Sequence, residues 1–151
     1  MTLNTCSALI SFHGRLEDQV AKFYETLAGN ERYAVGRETF LLFAKENKKH
    51  KEIVKRVYYE VITDGLEACY LNPVSEEHYS LNTNLTANTS YPSALRMAIE
   101  VEERSYLFCV DASEASKNFM ADIPQALRTI AKRKAERREI LKSLLDKASV
   151  Q

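Results

Sequence analysis

The chain has 151 residues, about one domain's length on a prior of roughly 150 residues each. Its apolar share of 45% and charged share of 28% exclude a disordered tail or a collagen-like repeat. Lys plus Arg and Asp plus Glu both total 21, so net charge gives no reason to bind nucleic acid or an anionic membrane.

Only 4 Gly and 3 Pro are present, too few for the many turns of an all-β protein, so the composition leans helical. No apolar run reaches the ~18 residues of a membrane span. Met1 to Phe12 has no basic stretch ahead of its apolar residues, which argues against a secretory signal. Cys6, Cys69 and Cys109 are far apart and form no C-x-x-C pair. That argues against a disulfide framework or a zinc ribbon and predicts three reduced thiols in a cytoplasmic protein. The sequons at Asn84 and Asn88 are then coincidental.

Four segments carry helical periodicity. The first runs from about Ser7 to Ala28, with Ile10, His13, Glu17, Val20, Tyr24 and Leu27 on one face; Gly29-Asn30 ends it. The second runs from about Arg37 to Tyr70, with a bend near Asp64-Gly65. Its stripe is Phe40, Phe43, Asn47, His50, Val54, Val57 and Val61. Leu71 to Ser90 is polar, with Pro73 and several Asn, Ser and Thr, and reads as a connection rather than an element. The third helix follows Pro92, with Leu95, Ala98, Glu102, Ser105, Cys109 and Ala112 on its stripe. The fourth starts near Pro124, with Asp122 as N-cap. Its stripe is Ile123, Leu127, Ile130, Lys134, Arg137, Leu141 and Leu144.

The short–long–short connections predict an all-α antiparallel four-helix bundle in one domain, 1–151. It consists of helical hairpins 7–70 and 92–148 joined by a crossover over 71–91. Faint internal matches suggest a duplicated hairpin. Laying Glu17 on Glu102 pairs Phe23 with Phe108; laying helix two on helix four pairs Ala44 with Ala131, Glu52 with Glu139 and Ile53 with Ile140.

Polar residues interrupt every stripe near mid-helix: His13 and Glu17, Asn47 and His50, Glu102, then Lys134 and Arg137. Antiparallel packing would bring them to one depth. Buried charges are costly unless paired or metal-bound, so a polar site is expected there. The competing reading is a stripe displaced by one residue, with these groups in solvent; it bears most on Lys134 and Arg137, in a helix charged on most sides. His13 reads as a satisfied core histidine.

These residues resemble a family. Glu17, with Tyr24 seven residues on, looks like the first helix of the rubrerythrin group of ferritin-like di-iron proteins. Glu38-Thr39-Phe40 and Phe43 to His50 look like its second helix, and Ala98 to Glu102 followed by Phe108 like its third. The resemblance implies a ferritin-like fold in which each hairpin gives one Glu and one Glu-x-x-His to two irons. It further implies peroxidase or oxidase chemistry.

The departures are specific. Asn47 stands where the family has Glu, while Glu46 points about 100° away. Lys134 and Arg137 stand where the second Glu-x-x-His belongs. Glu17, His50 and Glu102 remain of six ligands. Protonated Lys is a poor ligand and Arg is never neutral, but both suit Glu17 and Glu102 electrostatically. The expectation is a buried network of Glu17, Asn47, His50, Glu102, Lys134 and Arg137, with no cofactor and a structural or partner-binding role. The alternative is a metal-dependent oxidoreductase holding a single iron or manganese ion at Glu17, His50 and Glu102. Nucleic-acid binding by the basic run Arg128 to Lys142 is a third reading, countered by Glu136 and Glu139 within it. A homodimer is expected, with Phe12, Tyr58 and Tyr59 as outward-facing contacts.

Overall fold

The computed structural model describes residues 2–61, 70–118 and 121–150. It is mostly helical. The four long helices are α1 (Cys6–Ala28), α2 (Arg37–Val61), α3 (Tyr91–Ala115) and α4 (Asp122–Val150). Thr5 caps α1 by accepting from the Ala8 N–H, and Ser90 caps α3 by accepting from the Ser93 N–H. Gly29 closes α1 with an ordinary φ of −79°, its N–H bonded to Glu25 O. Asp122 is the first residue of α4 rather than its cap, a one-position difference of the kind that helix ends show.

α1 packs on α2, and α3 on α4. Asp18 meets Lys51 and Glu25 meets Lys48, so α1 and α2 run antiparallel. Phe12 meets Phe108 and Tyr24 meets Glu102, so α1 and α3 are antiparallel too. Helix α2 also packs against α4. The turn between α1 and α2 is a 3-10 segment, Glu31–Gly36. There Tyr33 Oη and Arg32 Nη2 both donate to Thr89 O, tying this turn to the entry of α3. Gly36 is needed for that close approach: a Cβ would lie 2.8 Å from the Phe40 ring and 2.9 Å from Tyr91 Oη.

The crossover differs from the sequence reading. Tyr70, taken as the end of helix two, opens a strand, β2 (Tyr70–Ser75), within the segment taken as plain connection. It pairs antiparallel with an N-terminal strand, β1 (Thr2–Thr5), in the register Thr2↔Ser75, Leu3↔Val74 and Thr5↔Tyr70. A 3-10 turn, Glu76–Tyr79, follows. The ribbon forms because Leu3, Leu71 and Val74 are apolar and bury against one end of the bundle. Pairing also satisfies backbone groups that burial would otherwise orphan. The expected bend at Asp64-Gly65 and the third cysteine, Cys69, lie outside the described residues.

The core is divided. One apolar cluster includes Leu9, Val54, Tyr58, Phe108 and Leu127; the other includes Tyr24, Leu27, Phe40, Leu95 and Leu141. Between them, in every helix, the buried positions are polar. Tyr58, expected to face outward, is only 6% exposed and belongs to the first cluster. Phe12 is half-buried edge-on against Phe108, and Tyr59 alone of the three is exposed, at 64%.

Candidate functional site: a buried polar layer

The layer between the two clusters is built by helical spacing. His13 and Glu17 are one turn apart on α1, and Lys134 and Arg137 one turn apart on α4. Asn47 and His50 come from α2, and Glu102 and Ser105 from α3. Glu17, Asn47, Glu102, Ser105, Lys134 and Arg137 are all 0% exposed. The two cations therefore do not face solvent, as a displaced stripe would require.

Each cation takes one carboxylate. Lys134 Nζ lies 2.5 Å from Glu17 Oε1, and Arg137 Nη2 lies 3.1 Å from Glu102 Oε2. Asn47 joins the two pairs: its Nδ2 donates to Glu17 Oε1 at 3.1 Å, and its Oδ1 accepts from Arg137 Nη2 at 2.8 Å. The second oxygen of Glu17 faces both histidines, with His50 Nδ1 at 3.2 Å and His13 Nε2 at 3.6 Å. Tyr24 Oη donates to Glu102 Oε2. The Arg137 guanidinium also sits over the Phe43 ring at 4.3 Å and the Tyr24 ring at 5.1 Å, a stacked position that a weakly hydrated planar cation favours.

The electrostatics follow from burial and pairing. Burial alone would raise the Glu17 carboxyl, but Lys134 and the two histidines more than offset it and hold it well below the carboxylate range. Burial pushes His13 down to about 4, with Glu17 opposing, so its ring is neutral near pH 7. Burial and then the Glu102 charge hold the Tyr24 phenol well above its ordinary value. Burial works against the Arg137 charge, yet Glu102, Tyr24 and Glu17 raise its pKa above the usual value. The layer thus holds two positive and two negative groups, with His13 neutral. Some polar atoms in it find no hydrogen-bond partner among the described residues: Glu102 Oε1, Ser105 Oγ, and Arg137 Nε and Nη1.

The contacts of Tyr24 and Phe43 with this layer escape a reading of charges alone. The available signal was spacing: Tyr24 lies seven residues, about two turns, beyond Glu17 on the same face of α1. Glu46, one position from Asn47, points out and binds Arg133, Oε2 to Nη2, at 2.8 Å. The basic run of α4 is also largely consumed. Lys134 and Arg137 are buried, Arg133 pairs with Glu46 and Glu136, and Arg138 and Lys142 each lie 3.7 Å from Glu139. Five of the seven cations from Arg128 to Lys142 are thus buried or paired, while Arg128 and Lys132 are exposed.

Among the described residues, no three His, Cys, Asp or Glu side chains are grouped so as to hold a metal ion, and Glu17, His50 and Glu102 are not such a group. Among the described residues, no helix is long and apolar enough to cross a membrane. Compared with protein-family models, curated proteins and solved structures, the chain matches none.

Proposed function

We propose that this chain is a rubrerythrin-like member of the ferritin-like proteins in which a buried Glu/Lys/Arg network stands at the di-iron position, and that its role is structural or partner-binding rather than catalytic. The observation carrying this reading is the one-to-one pairing of Lys134 with Glu17 and Arg137 with Glu102. The antiparallel hairpins and the long connection between α2 and α3 support the ferritin-like part.

The donor set does not fit two irons. A dinuclear centre needs carboxylates to bridge the metals and offset their charge. Here both carboxylates are engaged by cations, and those cations occupy the positions of the missing ligands. Metal ions would be repelled where Lys134 and Arg137 already neutralise the layer. No redox step is assigned to the site.

A role in assembly requires an exposed surface. Leu41, Leu42, Tyr59 and Leu107 are large apolar side chains at about half exposure or more. We propose a homodimer, which light scattering of the purified protein tests directly, and a cytoplasmic location.

The decisive test of the main reading is metal content after expression with iron and manganese supplied. Well under one equivalent of metal per chain is expected. One or two tightly bound equivalents would overturn it, in favour of a metal-dependent oxidoreductase using Glu17, His50 and Glu102.

A further inference from the structure

Three buried side chains from three helices meet at one atom. Lys134 Nζ of α4 lies 2.5 Å from Glu17 Oε1 of α1, and Asn47 Nδ2 of α2 donates to the same oxygen at 3.1 Å. An amine and a carboxamide are thereby held side by side on one carboxylate, and all three residues are 0% exposed. The amide is engaged at its other end as well, where Asn47 Oδ1 accepts from Arg137 Nη2 at 2.8 Å. The second oxygen of Glu17 faces His50 and His13, so Oε1 is the one that serves the amine and the amide.

Charge pairing accounts for Lys134 against Glu17, but it does not require a carboxamide fixed at both ends beside them. An amide carbonyl is a poor electrophile unless a strong donor holds its oxygen, and Arg137 places a fixed cation there. An amine is a nucleophile only when neutral, and Glu17 Oε1 is in place to take its proton. That transfer converts two buried charges into two neutral groups, which a dry site tolerates more readily. At rest the proton sits on Lys134, because Glu17 is held well below the carboxylate range. The neutral amine is therefore a minor species, and any reaction through it is slow. Confinement of both reactants in one water-excluded place offsets part of that cost.

We propose that Lys134 and Asn47 form a modification site, at which an isopeptide bond grows between Lys134 Nζ and Asn47 Cγ with release of ammonia. Glu17 Oε1 first takes a proton from the Lys134 ammonium. The neutral amine adds to Cγ, and Arg137 Nη2 stabilises the charge that develops on Oδ1. The bond from Cγ to Nδ2 then breaks, with its electron pair leaving on nitrogen. Glu17 gives its proton to the departing Nδ2 and takes a second one from Nζ. Ammonia departs, the new amide keeps one hydrogen on Nζ, and Glu17 ends protonated and neutral. No unpaired buried charge replaces the Lys134 ion, and the pair of Arg137 with Glu102 stays in place. The step needs no oxidant and no co-reactant. It happens once per chain and ties α2 covalently to α4. The proposal stands apart from the reading of the layer as free of metal, because bond formation is read by mass and metal binding by metal content.

The test is the intact mass of the purified full chain, followed through prolonged incubation at neutral pH. A species lighter by about 17 Da, the mass of one ammonia, is expected to accumulate with time. Tryptic mapping should find a branched peptide joining the segments around Asn47 and Lys134, uncut after Lys134. In a denaturing, reducing gel the linked chain should migrate faster, because residues 47–134 remain closed in a loop. Lys134→Met should keep its full mass. Glu17→Gln, which keeps the amine and the carboxamide but removes the base, should do the same. The first measurement is made on the unaltered chain, so poor folding of a variant does not touch it. Full mass alone in the folded chain after prolonged incubation would overturn the proposal. So would the same loss confined to the Asn47 peptide as a cyclic imide, or a loss of water that joins Lys134 to Glu17.

Discussion

Asn47 accepts a hydrogen bond from Arg137 at 2.8 Å, across the contact between α2 and α4. The same amide donates to Glu17, which holds Lys134. One neutral side chain thus hydrogen-bonds to a member of each ion pair. A carboxylate at position 47 could not do this, because it has no donor for Glu17.

Asn47→Ala should therefore weaken both pairs. Each lost bond has a charged partner, and such bonds are worth about 1.5–3 kcal/mol apiece. We expect urea denaturation to show a loss of about 3 kcal/mol or more. A double-mutant cycle on Lys134→Met and Arg137→Met should be non-additive by about 0.5–3 kcal/mol in the wild type and close to additive with Ala at position 47.

Lys134→Ala should cost about 3–5 kcal/mol, because Glu17 is left charged and buried without its cation. Lys132→Ala, on the exposed side of α4, should change stability by less than about 0.5 kcal/mol. Adding Glu17→Gln to Lys134→Met should recover much of the loss, since both charges are then gone. Chemical denaturation of the four variants separates a charge-pair role from simple packing.

His13 gives the layer a pH dependence. Its folded pKa of about 4 lies below the ordinary 6.5, so the folded state binds its proton less readily than the unfolded chain. Its contribution is complete above pH 6.5 and is lost as pH falls towards 4, a change of about 3 kcal/mol. Glu17 is depressed as well, and its contribution is lost below its ordinary 4.5. The window between 6.5 and 4.5 therefore isolates His13 from Glu17. Thermal unfolding across that window should lose less stability in His13→Gln than in the wild type.

Replacing polar residues of the layer with metal ligands should change its chemistry. Asn47→Glu, Lys134→Glu and Arg137→His together supply three metal donors and remove both cations. We expect this variant to bind iron or manganese, measured as metal equivalents per chain, and to be stabilised by that metal. A triple variant that folds and takes up no metal would show that the helix backbones are spaced wrongly for a dinuclear site.

Cys109 is fully buried, and burial pushes its thiol up to about 12. It should resist a thiol reagent in the native protein at pH 8 and react on unfolding. Fast native labelling at Cys109, located by peptide mapping, would mean that this end of the bundle opens readily.

The four helices and the depth of their polar positions are written in local sequence. Periodicity places residues 10, 13, 17, 20, 24 and 27 on one face whatever the helix packs against, and all six are buried. The capping residues Thr5 and Ser90 and the scarcity of Gly are equally local. The strand pairing of Thr2–Thr5 with Tyr70–Ser75 is not local, because it joins segments more than 60 residues apart, and neither segment carries an alternating pattern long enough to announce a strand. The burial of Tyr58 is tertiary too, since it joins the apolar cluster that includes Leu9, Val54, Phe108 and Leu127. The choice of partner inside the layer is likewise tertiary. Charge balance alone allows Lys134 to take either glutamate. The helix packing decides the matter by setting Lys134 against α1, leaving Arg137 within reach of both Asn47 and Glu102 and stacked on the rings of Tyr24 and Phe43.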